Sequence, residues 1–330
     1  MGRDDDDQTA RRRQVLQQVD DAQQREDHVQ AIKCLRAALA EDDSFAYFWV
    51  RLGYALLDAN SFDDALKACQ KAILIDSDSA PAYTGMGRAL EGLGRFDDAE
   101  DAFKRSVELA PTASRYVFLG DAQRSQNKLE DAMQSFRTAL KVDPCHGEAM
   151  YNIALLCRDT HPDEAYEILT KVVELDPQCA AAYSEMGFIL AKRGDSKSAE
   201  VMIQEALRID DSSEWTHFYY GGVLLDLSRT KEAEEHYRKG VELAHSAAYA
   251  QELLGGFYRT QGRLTEAIGC LRKALDLESE NATVAFKLGR CLLELGEQEE
   301  GRQWLQRSLA MKPDGEYSAE IMKILSENTV

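Results

Sequence analysis

Apolar residues recur along the chain in short blocks that have the spacing of one helix face. One block contains Trp49, Leu52 and Leu56, and the next contains Ala65 and Cys69. Residues three or four positions apart lie on the same side of an α-helix, so each block predicts an amphipathic helix. Only a few polar residues separate the two blocks. This arrangement favours a hairpin of two antiparallel helices.

The two-helix pattern repeats along almost the whole chain. A small residue marks the second helix of each unit at intervals of 33 or 34 residues, at Ala31, Ala65, Ala99, Ala132, Ala165, Ala199, Ala233, Ala267 and Gly301. A glycine precedes most of these by twelve positions, at Gly53, Gly87, Gly120, Gly187, Gly221, Gly255 and Gly289, and Ala154 fills the same slot in the fifth unit. A period of this length indicates a repeat protein. We expect the small residues to let two helix backbones approach closely, so that bulky side chains such as Phe103 interdigitate around them.

The fourth unit contains most of the marker residues of a known repeat. The pattern resembles the tetratricopeptide repeat family, whose aromatic-x-x-Leu-Gly, Ala-x-x-x-Phe, Ala and Pro positions are matched by Tyr116, Leu119, Gly120, Ala132, Phe136, Ala139 and Pro144. The resemblance implies an all-α fold, an α-solenoid in which antiparallel helix hairpins stack into a right-handed superhelix. It further implies that the first helix of each hairpin lines a concave groove.

The repeat register predicts the domain organisation. Nine repeats are expected at 12–45, 46–79, 80–112, 113–146, 147–179, 180–213, 214–247, 248–281 and 282–315. An N-terminal tail of acidic and basic residues is expected at 1–11, and a C-terminal capping helix and tail at 316–330. Tyr317, Ile321, Ile324 and Leu325 form one apolar stripe in this last segment.

Charge narrows the class of partner. The chain has 39 basic and 58 acidic residues, a formal net charge of −19, which disfavours nucleic acid and anionic membranes as partners. No apolar stretch near the N-terminus has the length that a signal peptide or a membrane anchor requires. Seven cysteines without a Cys-x-x-Cys pair are typical of a reducing compartment. We therefore expect a cytoplasmic protein.

Basic residues on the expected groove positions provide the first candidate site. Arg88, Arg124 and Arg158 come from three successive units and are predicted to form a track suited to carboxylates or backbone carbonyls of an extended ligand. Alternatively, Arg124 and Arg158 pair with Asp121 and Asp159.

Aromatic residues on groove positions of the sixth to eighth units provide the second candidate site. The predicted partner-binding residues are Phe188, Trp215, Phe218, Tyr219 and Tyr249, together with the adjacent Gly222 and Gly256. Tyr and Trp are favoured at interface hot spots. A second glycine lowers the stability of a helix, and the close approach of a ligand chain would explain why it is present. Alternatively, the rings pack against neighbouring first helices, or the register slips by one in the seventh unit, where His217 replaces the usual aromatic residue.

Signals for catalysis or cofactors are absent from the sequence. There is no phosphate-binding loop, no Gly-x-Ser-x-Gly and no His-Glu-x-x-His. The pairs Cys145–His146 and Cys157–His161 would lie roughly 16 Å apart along one helix, too far to share an ion. No lysine stands at the fifth position of any unit, where the family's carboxylate clamp has one, and of the asparagine ladder in the family's sugar transferase only Asn152 has a counterpart. We therefore expect that the protein is not an enzyme and that it binds neither a metal nor a cofactor.

The prediction is a non-catalytic scaffold or adaptor that binds a peptide or partner-protein segment in the concave groove. The alternative is a self-assembling scaffold, a homo-oligomer formed through the terminal repeats and the capping helix. Ile321, Met322 and Leu325 would supply its exposed apolar surface.

Overall fold

The computed structural model describes the backbone of residues 2–244 and 246–327 and the side chains of 8–244 and 246–326. This part of the chain contains helices and turns but no strand. The helices are α1 (Gly2–Gln24), α2 (His28–Glu41), α3 (Ala46–Asp58), α4 (Phe62–Ile75), α5 (Ala80–Gly92), α6 (Phe96–Leu109), α7 (Ala113–Ser125), α8 (Leu129–Val142), α9 (Gly147–Cys157), α10 (Pro162–Leu175), α11 (Ala180–Lys192), α12 (Ser196–Ile209), α13 (Glu214–Asp226), α14 (Thr230–Leu243), α15 (Ala247–Thr260), α16 (Leu264–Leu277), α17 (Ala282–Leu295), α18 (Gln298–Met311) and α19 (Ser318–Glu327). None of the helices in these ranges is both long and apolar enough to cross a bilayer.

The chain divides into two compact units, Met1–Ile168 and Leu169–Val330, and α10 crosses the boundary between them. Within the first unit α3 packs on α4 and α5 on α6, and within the second α11 packs on α12 and α13 on α14. The all-α hairpin architecture expected from the sequence is therefore confirmed. The division into nine repeats remains a prediction.

Glycines in the first helices have the packing role expected of them. A Cβ atom on Gly87 would lie 2.6 Å from Cε1 of Phe103, and one on Gly120 would lie 2.5 Å from Cε1 of Phe136. Both phenylalanines come from the second helix of the same hairpin and are completely buried. The absence of a side chain on the first helix thus lets the ring from the second helix reach its backbone.

Most hairpins turn through one residue with positive φ, at Glu26, Asn60, Gly94, Asn127, Gly194, Ser228, Gly262 and Gly296. The fifth hairpin differs because Thr160, a β-branched residue, stands in this slot, and such residues disfavour the left-handed conformation. Here α9 ends early, at Cys157, and the His161 N–H donates to the Cys157 carbonyl at 2.6 Å. Arg158 is consequently the C-cap residue of α9.

The predicted N-terminal tail is helical, since α1 begins at Gly2. Arg11 lies 2.6 Å from Glu41 and Arg12 lies 2.8 Å from Asp42. The Arg12 guanidinium also lies over the ring of Phe45, 4.3 Å from its centroid. These contacts with the end of the first hairpin give the basic residues partners and continue the helix through the segment expected to be a tail.

The C-terminal helix α19 covers the end of the last hairpin. Tyr317, just before it, stacks on Phe286 with ring centroids 4.3 Å apart, and Ile321 is buried against Phe286 and Leu305. Leu325 packs partly against the same cluster. The expectation that Ile321 belongs to an exposed face is wrong, because this side chain is part of the cap itself. Residues 328–330 of the predicted tail lie outside the described residues.

Acidic residues of the second helices connect successive hairpins. Glu100 accepts hydrogen bonds from Lys128 at 2.7 Å and from Gln126 at 3.1 Å, both from the next hairpin. Burial acts to raise the pKa of Glu100, but these hydrogen bonds and the one from Lys104 lower the pKa to about 2. In the second unit Glu234 accepts from Arg263 at 2.5 Å in the same way. Some of the acidic side chains thus form hydrogen bonds between neighbouring hairpins.

Candidate functional site

Four aromatic side chains form a continuous surface on the first helices of the second unit. The ring centroids of Phe188 and Tyr219 are 4.7 Å apart, those of Tyr219 and Trp215 are 6.4 Å apart, and those of Trp215 and Tyr249 are 5.3 Å apart. The residues come from α11, α13 and α15, so the surface crosses three helices. We call these four residues the aromatic patch.

Exposure differs along the aromatic patch. Trp215 is 44% exposed and Tyr249 is 42% exposed, whereas Phe188 and Tyr219 are half-buried. Such exposure of two large rings in contact with each other leaves apolar area that a partner can cover.

Phe218, also predicted to face the groove, is 6% exposed and belongs to the core. A Cβ atom on Gly240 of α14 would lie 2.6 Å from Cε1 of Phe218, so this ring occupies the space left by the glycine. The sequence contained a signal for this contact. Gly240 stands where other second helices have Ala139, Ala206 or Ala274.

The paired glycines beside the patch have two different environments. A Cβ atom on Gly221 would lie 2.7 Å from the Tyr237 ring, and one on Gly255 would lie 3.1 Å from Leu271. In contrast, a Cβ atom on Gly222 would meet only the Tyr237 hydroxyl at 4.0 Å, and one on Gly256 would have nothing within 4 Å. Gly221 and Gly255 are therefore required for packing, and Gly222 and Gly256 border open space.

A cavity of about 330 Å³ opens beside Gly256. Its lining includes Tyr237, Glu252, Gly256, Arg259, Lys287 and Cys291. Burial raises the pKa of the Cys291 thiol to about 11, so this cysteine is a neutral, weakly polar part of the wall.

The charged side chains next to the cavity are paired. Lys287 donates to Glu252 at 2.5 Å, and Arg259 donates to Glu294 at 2.6 Å. A ligand at this surface therefore meets apolar rings and neutralised charges rather than a strong field.

A histidine pair lies beneath the patch. His217 Nδ1 is 2.8 Å from His236 Nδ1, and His217 Nε2 is 3.1 Å from the Asp211 carbonyl oxygen. Because a carbonyl only accepts, Nε2 of His217 carries a proton, so its neutral Nδ1 accepts from Nδ1–H of His236. Burial lowers the pKa of both, and burial together with the neighbouring His217 lowers the pKa of His236 to about 4.

His217 lies on the buried side of α13. Trp215 and Tyr219, each two residues away along the helix, lie on its more exposed side. The sequence showed His217 but not its partner, because His236 has the ordinary appearance of a polar residue in a second helix.

The three arginines predicted to form a track lie in the first of the two compact units, and each makes its own contacts. Arg124 donates to Asp121 at 3.0 Å, and Arg158 lies 3.7 Å from Asp159, which is the pairing considered as the alternative to a ligand-binding track. The Arg88 guanidinium lies between the rings of Tyr54 and Phe118, at 5.7 Å and 5.8 Å from their centroids.

Arg88 is the arginine of this set that keeps donors available. Among the described residues it has ring contacts but neither a hydrogen bond nor an ion pair. Burial, followed by the nearby Asp121, raises the pKa of Glu91 to about 7, so this carboxyl group is partly protonated near neutral pH.

The cysteines and histidines considered for metal binding have structural roles. His146 Nδ1 accepts from the Ala149 N–H at 3.4 Å and caps α9, and His161 Nδ1 lies 2.9 Å from Thr160 Oγ1. Cys157 is buried and Cys145 is exposed. In the part of the chain that the structure describes, no three His, Cys, Asp or Glu side chains are arranged to hold a metal ion.

Comparison with known proteins agrees with this architecture. Models described as tetratricopeptide repeat match residues 16–84, 221–277 and 258–316, residues 56–117, and residues 113–145. A probable UDP-N-acetylglucosamine–peptide N-acetylglucosaminyltransferase SPINDLY from Hordeum vulgare is 31% identical over 105 residues, or 32% of this chain and 11% of the relative. Tetratricopeptide repeat protein 7A from Homo sapiens is 29% identical over 107 residues, which cover 32% of this chain and 12% of that protein. The chain thus spans only about a tenth of the length of these curated relatives.

Solved structures show the same fold at low sequence identity. The crystal structure of the APC/C hetero-tetramer Cut9-Hcn1 aligns with a TM-score of 0.64 at 19% identity, covering 89% of this chain and 59% of the matched chain. Yeast Tom70 aligns with a TM-score of 0.54 at 13% identity, covering 95% of this chain and 94% of Tom70. With repeat models matching along the chain and hairpins packed around the glycine positions, the chain belongs to the tetratricopeptide repeat family.

Proposed function

We propose that the chain is a non-catalytic scaffold or adaptor that holds a peptide or an extended segment of a partner protein on its first-helix face. The observation that carries this proposal is the aromatic patch, in which Trp215 and Tyr249 are both exposed and in contact with each other. Repeat folds of this family typically serve as interaction modules, and the open positions at Gly222 and Gly256 allow a chain to approach the helices closely.

The arginine set contributes to the proposal through one residue. Tyr54 and Phe118 hold the Arg88 guanidinium in place, and its donors suit a carboxylate or backbone carbonyl of the same partner. Arg124 and Arg158 have intramolecular acidic neighbours, so we assign them a smaller share of the binding.

The partner proposed is a protein rather than a nucleic acid or a membrane, because the net charge is −19 and the charges beside the patch are paired. All seven cysteines are free, and burial raises the pKa of several thiols, including Cys69 to about 12. Free thiols are consistent with the cytoplasm. Self-assembly through α19 has less support, since Ile321 is buried and Met322 is the strongly exposed apolar residue of that helix.

Affinity capture with matched variants tests the proposed function. Wild-type chain, W215A/Y249A and Y47A are immobilised, and the proteins retained from native lysate are quantified by mass spectrometry. Tyr47 is a matched control because it is as exposed as Tyr249 but lies in the first unit. We expect W215A/Y249A to lose the specific partners by at least about tenfold and Y47A to keep them, since central aromatic residues dominate interface energies.

Circular dichroism melting curves control for folding, because removing two exposed rings should leave the helices intact. Equal recovery of the same proteins by wild type and W215A/Y249A would contradict the proposed function.

A further inference from the structure

We infer that the ligand of the aromatic patch is a proline-rich segment in the polyproline II conformation. This inference rests on the proposed function and names the chemistry of the partner. It rests on three properties of the surface formed by α11, α13 and α15. These are the hydrogen-bond donors that remain free, the carboxylates that are already bonded, and the repetition of the open glycine positions on α13 and α15.

The free polar groups beside the patch can all donate a hydrogen bond. Trp215 Nε1 and the hydroxyl groups of Tyr249 and Tyr237 make no hydrogen bond among the described residues. Indole N–H only donates, and burial raises the pKa of Tyr237, which keeps its hydroxyl protonated. The Tyr237 hydroxyl lies 4.0 Å from the Cβ position of Gly222 and lines the cavity at Gly256, so it reaches the open floor of the surface.

The strong acceptors at the same place are occupied. Glu252 accepts from Lys287 at 2.5 Å, and Glu294 accepts from Arg259 at 2.6 Å. The carbonyl groups of α13 and α15 are bonded within their helices, so this face has no strand edge with which a peptide could pair. Of the free groups named above, only the two tyrosine hydroxyl oxygens can accept a hydrogen bond. An extended ligand with many N–H groups would therefore lose the hydration of most of them here without finding a partner, which is costly.

Proline-rich segments match this imbalance. Proline has a carbonyl but no N–H, and in polyproline II the carbonyls point outward without internal partners. Such a ligand offers acceptors to the donors of Trp215, Tyr249 and Tyr237 and brings few donors of its own. Its flat pyrrolidine rings are also suited to aromatic grooves, and its preformed conformation reduces the entropy lost on binding.

The spacing of the open positions supports the same ligand. Gly222 and Gly256 occupy equivalent places on α13 and α15, whose aromatic residues touch across the helices. Polyproline II presents the same face every three residues, or roughly every 9 Å. A ligand that lies across both helices can therefore offer the same kind of surface at each open position.

Fluorescence anisotropy with a capped, fluorescein-labelled decaproline peptide tests the inference on the full chain. The control probe is a Gly-Ser peptide of ten residues, and unlabelled decaproline is the competitor. We expect the Gly-Ser peptide to bind at least tenfold more weakly than decaproline, and W215A and Y249A each to weaken decaproline binding at least tenfold. Y249F, which removes only the hydroxyl donor, should weaken binding several-fold, and Y47A should leave it unchanged.

Decaproline binding that is no tighter than Gly-Ser binding, or that is unchanged in W215A, would overturn the inference. Melting curves of the variants verify that they are folded, which the exposure of both side chains favours.

A random twelve-residue peptide library separates this inference from the proposed function. Phage are selected on wild-type chain and counter-selected on W215A/Y249A. Enrichment of sequences with several prolines supports the inference. Patch-dependent binders without prolines would overturn it and leave the proposed function standing, whereas a lack of any patch-dependent binder would count against both.

Discussion

Two neighbouring glycines in one helix differ in the space that is available for a Cβ atom. One is needed for packing, and the other borders open space. Gly221 and Gly222 are adjacent in α13, yet only Gly221 lies against the ring of Tyr237. Helix propensity alone would favour alanine at both positions by up to about 1 kcal/mol. The space around each residue decides whether that gain can be realised.

We predict opposite effects for alanine at these two positions. G221A should destabilise the chain by about 1–3 kcal/mol, because its Cβ would lie 2.7 Å from Tyr237 and the ring has to move. G222A should be neutral or stabilising by up to about 1 kcal/mol, because its Cβ meets only a hydroxyl at 4.0 Å. The urea midpoint of each variant measures the effect, and shifts of the same sign would contradict this assignment of the two glycines.

At the scale of helix pairs, the buried histidine pair connects α13, which has Trp215 and Tyr219, to α14. His217 and His236 share one hydrogen bond, which requires an unprotonated Nδ1 on the acceptor His217, and Tyr220 packs against His236 at 4.5 Å. Arg229 and Lys239 add nearby positive charge, and Glu232 partly offsets it. Protonation is therefore disfavoured in the folded state, and the hairpin supporting the aromatic patch depends on pH.

We predict that this pair makes stability fall on acidification. The pKa of His236 drops from 6.5 to about 4 on folding, so the unfolded chain binds more protons between these values. The contribution should be fully present above pH 6.5 and should decrease as the pH falls toward 4. Melting temperatures of wild type and H217F/H236L across this range measure the difference.

The double variant should lose part of the pH dependence, since it lacks both titrating groups and the hydrogen bond between them. An identical pH profile in wild type and H217F/H236L would show that the pair does not titrate as the structure implies.

At the scale of the whole molecule, periodicity predicted the hairpins because the same glycine and alanine positions recur from unit to unit. It did not predict contacts that differ between units. Phe218 and Gly240 compensate each other across one hairpin, so the expected groove position of Phe218 was wrong, and α9 ends early beside Thr160. The pattern of the family describes an average repeat. The aromatic patch and its surroundings depend on residues that differ from this pattern.

The central claim is that a partner covers the indole of Trp215, and one measurement tests it directly. The chain has three tryptophans, so W49F/W304F leaves Trp215 as the sole indole emitter. Acrylamide quenching of this variant is recorded with and without the peptide that binds most tightly in the library selection. We predict that saturating peptide lowers the quenching constant by at least about twofold, because an indole that is 44% exposed becomes covered. Peptide binding at full affinity with unchanged quenching of Trp215 would contradict the account.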